Sequence, residues 1–134
     1  MTTGVRLFSA FLLIATLLYP QGKKSKKPKG PNVLIEKIEV RREGDVVLLD
    51  GGIKNTSIKA IHGVTLHFEF FAPNQESLTV MNGPVDSAFI EPDDSAEFKL
   101  QVRYPTRAVE LKTEARDKDQ RELNVEKNGP YRLD

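Results

Sequence analysis

From Val33 onward, apolar side chains recur at every second residue in short runs, and each run ends in turn-forming residues. Val47, Leu49, Gly51 and Ile53 share one parity, as do Val64, Leu66, Phe68 and Phe70. Ala96, Phe98, Leu100 and Val102 alternate without exception with Glu97, Lys99, Gln101 and Arg103. A period of two places one face of a strand in a core and the other in water, whereas a helix would show a period of 3.6. Val33 and Ile35 fall on one parity and Ile38 and Val40 on the other, so the first strand changes face near Lys37, through a β-bulge or a switch of sheet. Glu43-Gly44-Asp45 supplies a turn into residues 46–55, which predicts a hairpin.

Further along, Ala72-Pro73-Asn74-Gln75 ends the phenylalanine-rich strand, and shorter strands are expected over Leu78–Met81 and Ser87–Ile90. The dipeptides Asn82-Gly83 and Gly83-Pro84 read as the turn between them. Residues 108–125 are rich in helix formers, and Glu114 with Lys118 has helical pair spacing. Alternation of Val109, Leu111, Thr113 and Ala115 with Glu110, Lys112, Glu114 and Arg116 favours a strand, turning at Asp117–Gln120 into Arg121–Val125 as a second hairpin. The pattern predicts an all-β fold, an immunoglobulin-like antiparallel β-sandwich of seven to eight strands spanning residues 33–134.

The N-terminus breaks this pattern. Arg6, the apolar run Leu7 to Leu18, then Pro20 and Gly22 have the order of a signal peptide or short membrane anchor over residues 1–22. Twelve helical residues rise about 18 Å against a hydrocarbon core of about 30 Å, which favours a signal segment over a stable span. Residues 23–32 hold no large apolar side chain and read as a flexible linker. The expected location is therefore extracytoplasmic: periplasmic, secreted or membrane-tethered. A reversed anchor that keeps the domain in the cytoplasm is the alternative, because positive charge after the apolar run resists translocation.

Composition sharpens this division. Of the 134 residues, the first 30 carry six basic and no acidic side chains, and the rest carry 14 basic against 19 acidic, a net of −5. The domain lacks a basic footprint for nucleic acid, and no aromatic interleaves the arm to stack on bases, so no nucleic-acid partner is expected. Lys23, Lys24, Lys26, Lys27 and Lys29 could contact an anionic membrane surface; a solvated spacer is the simpler reading. The absence of cysteine removes thiol chemistry, zinc–thiolate sites and iron–sulfur clusters.

Candidate chemistry is sparse. His67 and Glu69, two apart on one strand face, could offer two ligands to a divalent ion, which is too few for a site. Asp93-Asp94-Ser95 and the Asp117, Asp119 pair read as turns rather than calcium loops, which need about six oxygens. No nucleophile elbow, phosphate-binding glycine loop or dinucleotide fingerprint occurs, and no serine neighbours His62 or His67 in sequence. No catalytic residue, cofactor, metal or small-molecule substrate is assigned. Asn55-Thr56-Ser57 matches a glycosylation acceptor, but Asn55 is expected to stabilise the strand exit through its amide or a left-handed backbone. Phe71 and Phe89 fall on outward parity and are the candidate interaction surface.

Three segments resemble the FxLYD-type domains of bacterial envelope-associated proteins: Gly51-Gly52-Ile53-Lys54-Asn55, Phe68-Glu69-Phe70-Phe71-Ala72, and Pro92-Asp93-Asp94-Ser95-Ala96-Glu97-Phe98. The resemblance covers residues 46–125. The family's Leu-Tyr-Asp stands here as Phe70-Phe71-Ala72, with Pro73-Asn74 in place of the aspartate's turn role. It implies an immunoglobulin-like sandwich acting as a non-catalytic interaction or scaffold module, whose expected partner is another envelope protein. The alternative is a peripheral membrane-surface protein that touches anionic lipid through its lysine arm.

Overall fold

The computed structural model describes residues 30–133, which form ten strands and no helix. In chain order they are β1 (Asn32–Glu43), β2 (Val46–Asn55), β3 (Ile61–His62), β4 (Thr65–Phe71), β5 (Ser77–Pro84), β6 (Phe89–Ile90), β7 (Ser95–Arg103), β8 (Glu110–Arg116), β9 (Asn124–Glu126) and β10 (Tyr131–Arg132). One sheet has the order β7-β2-β1-β9, the other β10-β8-β4-β5, and β3 with β6 forms a two-stranded ribbon. The expected segment 1–22 and the arm lysines lie outside the described residues. Gly30 and Pro31 are already bound to the body, through Gly30 N to the Glu122 carbonyl (2.7 Å) and Asn124 N to the Pro31 carbonyl (3.1 Å).

The two large sheets pack as a β-sandwich over the alternating apolar positions. Val47, Leu49, Ile53, Leu66, Phe68, Phe70 and Leu111 are fully buried. Phe68 and Phe98 meet across the interface with ring centroids 5.8 Å apart. The bulge expected in β1 is present, its register against β2 shifting between Ile35 and Lys37. Its effect is to bring Ile38 and Val40 back to the core side occupied by Val33 and Ile35, because the extra residue reverses parity. At Gly51, beside the bulge, a Cβ would lie 2.3 Å from the Lys37 carbonyl and 2.7 Å from the Phe98 ring, so only glycine fits.

Three expectations differ from the structure. Ten strands replace seven to eight, because β3 and β10 are two residues long and give no readable alternation. Asn82 and Gly83 lie inside β5 rather than in a turn; Gly83 leaves room for the Leu100 side chain of the opposite sheet, which a Cβ would meet at 2.6 Å. The second hairpin is reduced to the Arg116–Glu122 bridge and two backbone bonds, Asp117 N to the Arg121 carbonyl and Leu123 N to the Ala115 carbonyl. The chain then crosses, and β9 pairs in parallel with Asn32–Leu34 of β1.

Candidate functional site

The end of the sandwich where β2 stops gathers the residues best placed for recognition. There, Asn55 is completely buried. Its Nδ2 donates to the Lys59 carbonyl (2.7 Å) and the Ile90 carbonyl (2.8 Å), while Oδ1 accepts from Ser57 N (2.9 Å) and Ser57 Oγ (2.6 Å). Its backbone is tied to the next turn, from Asn55 N to the Asp94 carbonyl and from Asp93 N to the Asn55 carbonyl. The Asn55 side chain thus holds the 56–60 loop to β6, and its backbone holds the Pro92–Ser95 turn. The amide does this, not a left-handed backbone, since Asn55 is not among the positive-φ residues; Asp93, at φ 67°, is. A glycan on Nδ2 is incompatible with this packing.

What that scaffold presents is apolar. Ile58, at the tip of the loop, is 91% exposed, and Phe89 is 47% exposed with its ring 5.6 Å from that of His62. His62 and Phe89 are register partners on β3 and β6. Beside them lies a shallow cleft of about 100 Å³ lined by Ala60, Ile61, His62, Asp117, Lys118, Asp119 and Arg121. The ribbon is tied down by Gly63 N to the Ala88 carbonyl and Lys118 N to the His62 carbonyl.

Asp117 organises the far wall of the cleft. Its buried carboxylate accepts from Asp119 N (2.9 Å), Arg121 N (3.0 Å) and Arg121 Nε (3.1 Å). Burial works against ionisation, but these donors and the Arg121 charge outweigh it and hold the pKa below the ordinary carboxylate value. Both oxygens of Asp117 are therefore spent on its own turn.

The two aromatic candidates are not one surface. Phe89 belongs to the loop end, whereas Phe71 closes the C-terminal end of β4, about 20 Å along the strand by its seven-residue length. Phe71 is half-buried, with the Lys112 ammonium 5.7 Å from its ring centroid. Ile58 was the missed member; its only signal in the sequence is a lone large apolar residue between Ser57 and Lys59, outside any alternating run.

His67 and Glu69 do share the outer face of β4, but Glu69 accepts the Ser77 hydroxyl (2.6 Å), and His67 Nε2 is buried without a hydrogen-bond partner. Burial first, then the nearby Arg116, lowers the His67 pKa against the opposing pull of Glu114. Among the described residues, no three His, Asp or Glu side chains gather as metal ligands. Ser57, Ser77, Ser87 and Ser95 direct their hydroxyls to Asn55, Glu69, Asp86 and Glu36 respectively, so none is poised against a histidine. A larger open hollow of about 290 Å³, lined by Asp45, Arg103, Tyr104 and Thr106, lies at the opposite end of the sandwich.

No family model matches this sequence, and no curated protein matches it. Among solved structures, β-glucuronidase 2 of Bacteroides uniformis is similar over 70% of this chain, with 14% identity and a TM-score of 0.50. The match spans 14% of that enzyme's chain. IrmA from Escherichia coli is similar over 78% of this chain and 97% of its own, with 8% identity and a TM-score of 0.48. At these identities the likeness concerns the β-fold alone.

Proposed function

We propose that this chain is a non-catalytic, extracytoplasmic interaction module of the cell envelope, an immunoglobulin-like sandwich of FxLYD type that binds another envelope protein through its loop end. The observation that carries this reading is the exposure of both Ile58 and Phe89 on segments that the buried Asn55 amide holds together. A large apolar side chain left almost wholly in water gains by burial against a partner, at about 25 cal/mol per Å² of apolar surface covered. Rigid support beneath it lowers the ordering cost of binding. The committed serine hydroxyls and the unaided His67 favour binding over catalysis.

The test is in-cell crosslinking of the full-length protein followed by purification, with the wild type beside an Ile58→Asp, Phe89→Ser double variant. Loss of a specific partner by at least about tenfold is the expected result, as for removal of a binding hot spot. Equal recovery by both forms would overturn the loop-end assignment.

The segregation of charge, six cations in the first 30 residues against a domain of net −5, favours one second reading, a peripheral protein that meets anionic lipid through Lys23, Lys24, Lys26, Lys27 and Lys29. Deleting residues 23–29 would then abolish salt-sensitive binding to phosphatidylserine vesicles. Binding that persists without the arm excludes it.

A further inference from the structure

The chain enters the sandwich at the end that carries the exposed apolar residues. Gly30 N bonds the Glu122 carbonyl (2.7 Å), and a Cβ on Gly30 would lie 2.8 Å from Arg121 Nε, so this residue packs on Arg121 at the rim of the cleft that Arg121 and His62 share. Two residues on, the Asn32 carbonyl accepts Thr56 N (3.1 Å), which sets the start of β1 against the loop that bears Ile58. β1 then runs for 12 residues, which at the rise of a strand is about 40 Å. Its far end is where Tyr104 N bonds the Asp45 carbonyl (2.7 Å). β10, the last strand, pairs with Glu110 and Leu111 at the start of β8 and so belongs to that far end as well.

Length decides what this entry point means. Residues 23–29 join the apolar segment to Gly30, and a stretch of that size spans at most about 25 Å even when fully extended. That is shorter than β1. Whether the apolar segment stays in a bilayer or the arm lysines alone meet its headgroups, the loop end lies within one arm's length of the attachment. The Asp45 and Tyr104 end cannot take that place with the loop end turned away, because the arm is too short to reach around the body.

We infer that this short tether holds the loop end toward the membrane, and that the partner covering Ile58 and Phe89 is a membrane-embedded protein, met within about 25 Å of the bilayer. The inference rests on the proposed loop-end interaction and on attachment through residues 1–29. The lipid itself is a poor occupant. Glu91, Asp93 and Asp94 are exposed on the turn held by the Asn55 backbone, and Asp119 is exposed on the wall of the cleft. Arg121 is already paired with Asp117, which leaves Lys59 and Lys118 to set against them. The anionic lipid that suits the lysine arm would repel those carboxylates, whereas a protein surface can match both signs and still bury the apolar side chains.

The experiment uses the full-length chain in two settings. Because the protein has no cysteine, Ile58→Cys and Thr106→Cys each take a single donor dye, and energy transfer to a headgroup-labelled acceptor is read in vesicles of phosphatidylglycerol and phosphatidylethanolamine. Greater transfer from position 58 than from position 106 is expected, and an insert of about 12 Gly/Ser residues after Lys29, which makes the tether longer than the body, should erase the difference. Equal or reversed transfer at the native length overturns the inference whatever partner is found. In cells, a photocrosslinker at position 89 should capture a membrane-spanning protein, and the same insert should lower the yield about fourfold, as the −3/2 power of tether length. A soluble partner, or a yield unchanged by the insert, overturns this inference and leaves the loop-end interaction standing. Absence of any protein adduct, or adducts with lipid alone, overturns both.

Discussion

Asn55 does at the residue scale what a disulfide or metal does in other small domains, since four hydrogen bonds of one buried side-chain amide tie the 56–60 loop and β6 to the end of β2. Asn55→Ala should cost about 2–4 kcal/mol in denaturant unfolding, because it strands the carbonyls of Lys59 and Ile90. Asn55→Asp should cost at least as much, since it aims a charge at both. The two tight glycines separate in the same assay. Gly51→Ala meets a backbone carbonyl and should cost about 2–3 kcal/mol, whereas Gly83→Ala meets only the movable Leu100 side chain and should cost less than about 1 kcal/mol. Folding lowers the pKa of both His67 and Asp117, so each binds fewer protons folded than unfolded. Their contributions are complete above the unfolded values of 6.5 and 3.8 and are lost as pH falls from there through the folded values. Unfolding midpoints should therefore decline in two stages on acidification, and His67→Phe should flatten the upper stage alone.

At the scale of elements, the long strands were legible because alternation is a direct image of a half-buried face: β2, β4, β7 and β8 bury the parities their sequences show. A two-residue strand such as β3 has no period to read; it and β6 are held by Asn55 Nδ2 on the Ile90 carbonyl and Gly63 N on the Ala88 carbonyl. Gly83 misleads for a related reason, as its space is needed by Leu100 from a strand far away in sequence. Of the candidate site, Phe89 was visible from parity, while Ile58 was not, because exposure at a loop tip depends on how the loop is held. Arg42 lies over the Tyr104 ring at 3.7 Å, pinning the β1–β2 turn to the end of β7. Arg42→Ala should raise amide exchange at Val46 and Tyr104 while leaving β4 and β8 protected.

For the whole molecule, the proposed reading treats the sandwich as a rigid body that offers an apolar loop end, with Ile58 and Phe89, to a partner. The N-terminal apolar run and the lysine arm, on this reading, set where that body is displayed. The most direct measurement is site-specific photocrosslinking in the native cell, with the probe placed in turn at position 58, position 89 and the exposed control position Lys99 on β7. Discrete adducts with one protein from positions 58 and 89, and none from position 99, are the predicted result. Equal labelling from all three positions, or adducts from the control alone, would contradict a loop-end interaction module.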